Sequence, residues 1–136
     1  MARRMVPAFL VLAALVSAAS ASAQSLRDLR ARERENRELA RQAAFTSEVC
    51  GRTIAATIDW STAEDWPARE SIAEVCDGAL GAVETICRRG RTNVVHRFLC
   101  AGDGAGAELS GKTLRYGASP GGNGYAQTLA EIGAAE

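Results

Sequence analysis

The chain has 136 residues, with 16 basic and 16 acidic side chains and a single histidine. That balance is no footprint for nucleic acid, and that length allows one small domain. The four cysteines include no C-x-x-C pair and no C-x-x-C-H, so disulfides are expected in place of zinc or haem, and no cofactor is implied.

The first residues have the form of a cleavable secretory leader. Arg3 and Arg4 make a basic start, Val6 to Val16 an apolar run, and Ala21-Ser22-Ala23 a small-residue cleavage site. The apolar run is shorter than the roughly 20 residues of a membrane span. Cleavage before Gln24 would leave 113 residues and, without Arg3 and Arg4, 14 basic against 16 acidic side chains. A periplasmic or secreted location is therefore expected, where disulfides persist. Lys112 is the only lysine among many Arg, Ala and Gly residues, a compositional sign of a GC-rich bacterial genome.

Residues 24–47 read as a charged helical extension. Asp28 and Arg32, then Glu33 and Arg37, stand at i,i+4 with the acid first. A heptad seam through Leu26 and Leu29 would next meet Glu33 and Asn36, which weakens a coiled coil. The plain reading is a solvated helix whose last turn docks on the domain. The sharper one is a stalk or a dimerisation helix.

Residues 48–136 read as the disulfide-linked domain. From Cys50 to Trp60 the chain alternates, with Ile54, Ala56, Ile58 and Trp60 on one face, as in a half-buried strand. Ser61 with Glu64 fits a capping box, and Asp65 with Pro67 a helix start. Ile72, Val75, Cys76, Ala79, Leu80, Val83, Ile86 and Cys87 recur at helical spacing, and Gly90 is placed to end that helix. Asn93 to Ala101, apolar on both parities, predicts a central strand covered on both faces. Glu108 to Gly117 predicts a third strand, with Gly111 as a bulge. Tyr125 to Ile132 predicts a final helix with Tyr125, Leu129 and Ile132 inward. The expected fold is α+β: an N-terminal helix, then a β-α-β-β-α unit with a small three-stranded mixed sheet on the main helix.

This order sets the disulfides. Cys76 and Cys87 lie 11 residues apart on one helix face, about 16 Å along the axis. A bridge needs Cα atoms within about 7 Å, so these two cannot pair with each other. A strand, helix and strand in succession favour a parallel crossover, with both strands running opposite to the helix. Cys50 then meets the helix end at Cys87, and Cys100 returns to Cys76. The other allowed pairing would need the strands reversed or shifted.

Motifs carrying chemistry are few. Gly106 to Thr113, GAELSGKT, matches the phosphate-binding loop pattern letter for letter. That chemistry needs a helix to follow, and LRYGASPGG cannot supply one, so no nucleotide is expected. His96 shares parity with Phe98 and Cys100 and reads as a packed or edge histidine. Asp59, Glu64, Asp65, Glu70 and Glu74 gather near the start of the main helix, where carboxylates complement its dipole. A cleft pairing two of them would instead suit a small extracellular hydrolase. Trp60 reads as core, while Trp66 could sit in the core or on a binding platform. Arg88, Arg89 and Arg91 complement the helix C-terminus, or bind an anion or envelope polymer. Glycine loops at 102–106 and 117–124 suggest mobile segments on a rigid frame, the usual home of recognition. Trp66, Asp103, Asn123, Tyr125 and the three arginines are thus the candidate binding surface. The expected role is binding or structural, toward a protein or an envelope component, with inhibition or support of an envelope enzyme as one version. Catalysis by the acidic cluster is the alternative.

Overall fold

The computed structural model describes residues 9–134. Helix α1 spans Phe9–Cys50, strand β1 Ala55–Asp59 and a short 3-10 turn Trp60–Thr62. Helix α2 (Ile72–Arg88) follows, then β2 (Arg97–Ala101), β3 (Gly106–Ser110), β4 (Thr113–Gly117) and α3 (Tyr125–Ala134). The chain divides into two compact units, residues 1–33 and 34–136. In the first, Leu26 and Leu29 are exposed. Arg3 and Arg4 of the expected leader lie outside the described residues. Among those residues, no helix is long and apolar enough to cross a membrane.

The second unit is α+β. Its sheet has the order β1-β2-β4-β3, with β1, β2 and β4 parallel and β3 antiparallel to β4. Register places Ala56, Phe98 and Leu114 abreast, and Ile58, Cys100 and Tyr116 in the next row on the same face. Phe98, Cys100, Leu114 and Tyr116 are buried there with Ile72, Cys76, Ala79, Leu80 and Val83 of α2. The other face carries Thr57, Arg97, Arg115 and Glu108, none of them buried. β2 is interior in the sheet as expected, but among the described residues the cover on both faces that its apolar residues on both parities suggest is absent: the sheet has one helix-covered side, and Leu99 on the other is half-buried.

Both disulfides form as the geometry requires. Cys50–Cys87 has a Cα separation of 5.0 Å and Cys76–Cys100 one of 6.0 Å. The first ties the end of α1 to the end of α2. The second ties α2 to the central strand. Each bridge contributes about 3–4 kcal/mol by restricting the unfolded chain.

Several expectations are corrected in detail. The sheet has four strands because residues 106–117 fold as a hairpin. Gly111 is no bulge: Ser110 pairs with Thr113, leaving Gly111-Lys112 as a two-residue turn. Gly111 has φ +60°, and among the described residues only glycines adopt positive φ, so Lys112 does not, which fits a type II′ turn with glycine first. Cys50 closes α1, so β1 begins later, at Ala55. Neither Ser61 nor Asp65 caps the main helix. Asp59 caps the 3-10 turn, and Ser71 is the N-cap of α2, its hydroxyl accepting from the Glu74 amide at 3.2 Å. The sequence 61–70, broken by Pro67, cannot extend α2 backward. Asn93 to His96 precede β2 and are not part of it.

Helix α2 ends as its sequence indicates. Gly90, at φ +92°, follows the C-cap Arg89. The Gly90 amide donates to Cys87 O at 3.0 Å and the Arg91 amide to Ile86 O at 3.2 Å, the paired bonds of a Schellman motif. Docking of α1 runs deeper than one turn. Leu39, Ala43 and Cys50 are buried with Gln42 and Thr46.

Candidate functional site

The sequence-selected residues sit on different elements, and most are held by structural bonds. Trp66 is half-buried, its ring N–H donating to Glu70 O at 3.1 Å. Asp103 forms an ion pair with Arg115 across the uncovered sheet face and accepts from the Ala105 amide at 3.2 Å. The Arg115 guanidinium, first, and that amide hold its carboxyl below the usual range. Asn123 accepts from the Tyr125 amide at 3.0 Å at the start of α3. Tyr125 is exposed and not inward, at 38%, with its hydroxyl 2.9 Å from that of Thr85. Ile132 is buried and Leu129 packs half-buried against the core as expected, while Thr128 is buried where Tyr125 is not. Arg88 and Arg89 are exposed at the end of α2, while Arg91 donates to Ile132 O at 3.5 Å, near the end of α3. Asn123 and Tyr125 are joined by a hydrogen bond.

The glycine loops are tethered. The Gly102 amide donates to the Thr62 hydroxyl at 2.8 Å, Gly104 N to Ala118 O at 3.0 Å and Ala118 N to Ala101 O at 2.7 Å. Gly121 N donates to the Glu70 carboxylate at 2.9 Å. These bonds fix the loops to the frame.

The acidic cluster is also committed. Asp59 Oδ1 accepts from the Ser61 amide at 3.2 Å and from its hydroxyl at 2.5 Å. Glu64 and Asp65 are exposed. Glu70 and Glu74 do line one open groove, of about 330 Å³. Glu70 there holds the Gly121 amide, and Glu74 lies in the first turn of α2. The positive end of α2 has a carboxylate from elsewhere: Glu35 of α1 accepts from the Ser71 hydroxyl at 2.7 Å and the Ala73 amide at 3.1 Å. Sequence reading could not find that partner, 36 residues away.

Two further features were not visible in the sequence. Glu84 is 8% exposed on α2, with the Thr46 hydroxyl donating to it at 3.2 Å. Burial, only partly offset by that bond, pushes its carboxyl up. Beside it, the side-chain oxygen of buried Gln42 has no hydrogen-bond partner.

The second feature is the outer edge of β1. The Ala55 amide donates to His96 O at 3.3 Å, so in a parallel ladder the odd-numbered backbone groups of β1 face β2. Those of Ala56 and Ile58 face outward and make no hydrogen bond among the described residues. A groove of about 430 Å³ runs beside them, between Ala40, Ala43, Ala44 and Ser47 of α1 and residues 53–56. A smaller hollow of about 270 Å³ continues it at Asn36, Leu39, Ile58 and Trp60. Trp60 is half-buried and donates to Asn36 Oδ1 at 3.1 Å.

The phosphate-loop string folds as β3, the hairpin turn and the start of β4, so no helix N-terminus follows Lys112. Among the described residues, no group of three or more His, Cys, Asp or Glu side chains is placed to hold a metal. No protein-family model, curated protein or solved structure matches this chain at a significant level.

Proposed function

We propose that this protein is a small recognition domain of the periplasm or the extracellular space that binds an extended segment of a partner protein along β1. In this reading the partner is an envelope enzyme that the domain inhibits or assists. The observation behind it is the bare outer backbone row of Ala56 and Ile58. An unpaired strand edge is a template for another strand, and main-chain bonds there give affinity while flanking pockets give specificity. The sequence of β1, AATID, has no proline or lysine to discourage pairing. The alanines of the flanking groove leave room for a partner's side chains. Two disulfides hold the strand and its flanking helix in one frame, which lowers the ordering cost of binding. The location rests on those bridges and on the leader-like residues 1–23; an intact mass starting at Gln24 for protein recovered from the periplasm or medium would agree with it.

The acidic cluster supports hydrolysis less well. Asp59 and Glu70 are engaged in backbone and hydroxyl bonds, and nothing holds Glu70 and Glu74 as a facing acid and base. The test of strand addition is Ala56→Pro, which removes an amide that the sheet does not use. Wild-type and A56P proteins are compared as baits against native envelope extract. Under strand addition, a stoichiometric, salt-resistant partner is held by the wild type and lost by A56P, and that partner protects the Ile58 amide from hydrogen exchange. A partner held equally by both proteins would rule out this edge as the binding site.

A further inference from the structure

The three parallel strands begin at the same end of the sheet, and each is preceded by a basic side chain. Ala55, Arg97 and Thr113 stand in register. His96 and Lys112 come one residue before β2 and β4, and Arg52 comes three residues before β1. The His96 amide donates to Lys112 O at 2.8 Å, which fixes those two segments side by side. The Arg52 guanidinium reaches the His96 ring at Nε2, and the Lys112 ammonium donates to Asn93 O. Asn93 Oδ1 lies 2.6 Å from the same His96 Nε2.

Among the described residues no carboxylate acts on His96. Desolvation, first, and then the cations Arg52 and Lys112 lower the imidazole pKa of His96. The ion pairs Arg41–Glu38 and Arg115–Asp103 do not involve this end of the sheet. Arg52 Nε is a buried donor with no acceptor. His96 Nε2 is also over-subscribed: if it accepts from Arg52 it cannot donate to Asn93, and if protonated it opposes Arg52. An oxyanion that accepts from the outer guanidinium nitrogens of Arg52, from Lys112 and from a protonated His96 supplies a counter-charge and relieves the opposition between His96 and Arg52.

We propose that Arg52, His96 and Lys112 form a binding site for a phosphate group, presented as free phosphate or as the monoester of a small molecule. The guanidinium fork, the ammonium and the imidazole approach from three chain segments, which suits a tetrahedral anion with several oxygens better than a planar carboxylate. The site is separate from the β1 edge and does not depend on strand addition. Nor is it a nucleotide loop, because its Lys112 lies in a hairpin turn.

His96 is the only histidine, so its ring proton signals report the site directly. The experiment follows the His96 titration by NMR in the oxidised whole chain. Inorganic phosphate, phenyl phosphate and acetate are each compared with chloride at equal ionic strength. Binding to the protonated ring raises the His96 midpoint in phosphate, while acetate leaves it near its chloride value. Lys112→Gln, on an exposed turn, and Arg52→Gln each weaken phosphate binding by about tenfold. A stronger response to phenyl phosphate identifies an ester ligand, and a response to inorganic phosphate alone identifies the free ion. An unchanged midpoint in both phosphates, an equal rise in acetate, or an undiminished rise in K112Q overturns the proposal.

Discussion

Strands β1 and β3 are both edges of one sheet, but they are finished differently. Helix α3 lies along β3. Its Glu131 accepts from the Leu109 amide at 3.2 Å, and Leu109 is one of the residues whose backbone faces away from β4. The outward groups of Ala56 and Ile58 on β1 have no such side chain, although α1 runs close enough to form a groove with them. A chain that caps one edge with a carboxylate and leaves the other open beside small side chains has not simply run short of cover. The difference separates a structural edge from an accessible one, and each element that maintains it can be removed in turn.

The largest effect should come from the frame beneath both edges. Cys76→Ala with Cys100→Ala removes the bridge between α2 and central β2. Urea unfolding should show a loss of about 3 kcal/mol or more, because the loop it closes spans 24 residues and both side chains are fully buried. If the double variant were as stable as the wild type, the sheet would not depend on that bridge, and neither edge could be called rigid.

Next is the covered edge. Glu131→Ala leaves the Leu109 amide without its acceptor, at a cost of about 1–2 kcal/mol. Hydrogen exchange at Leu109 should accelerate while that of Leu114, inside the sheet, does not. Glu131→Ala thereby makes β3 resemble β1. Unchanged exchange at Leu109 would mean that helix packing, and not the carboxylate, closes this edge.

Much of this frame is legible in the sequence, and the reasons are local. The spacing of Cys76 and Cys87 excludes a bond between them, and the helical period of α2 with its terminal Gly90 makes that exclusion secure. The hairpin is lost because the apolar residues shift parity between Leu109 and Leu114, and a bulge at Gly111 in one long strand accounts for that shift as well as a two-residue turn does. The start of α2 is missed for a similar reason, since Ser61 and Asp65 are as good N-caps in isolation as Ser71. Ser71 lies beyond Pro67, and it is the one of the three that meets Glu35, from a distant helix. The basic end of the sheet is equally non-local: Arg52, His96 and Lys112 carry no shared motif, and only the strand register makes them neighbours.

A smaller effect tests how α1 is held on the open side. Glu84 is buried against Thr46 with its carboxyl pKa raised above the unfolded value. The folded state therefore holds that proton to higher pH than the unfolded chain does, and this site's contribution to stability falls as pH rises between the two pKa values. Above the folded pKa the full penalty is present; below the unfolded pKa it is absent. Glu84→Gln should raise stability near neutral pH by about 1 kcal/mol and give no gain in acid, where the wild-type residue is already neutral. Urea midpoints at the two pH values check this. A gain that is the same at both would assign the effect to packing and not to charge.

The smallest effect is expected at β1 itself. Proline is tolerated where an edge strand's amide faces solvent and is costly where the amide belongs to a ladder. The Ala56 amide faces outward, and Ala56 is flanked by Ala55, which already has the extended backbone that a following proline requires. Ala56→Pro should therefore change stability by no more than about 0.5 kcal/mol. The wild-type amides should agree: Ala56 and Ile58 exchange quickly, while Thr57, between them and bonded to β2, is protected. A cost for A56P of several kcal/mol, or slow exchange at Ala56 and Ile58 in the isolated protein, would show that the outer row is already engaged. The contrast with β3 would then disappear, and strand addition with it.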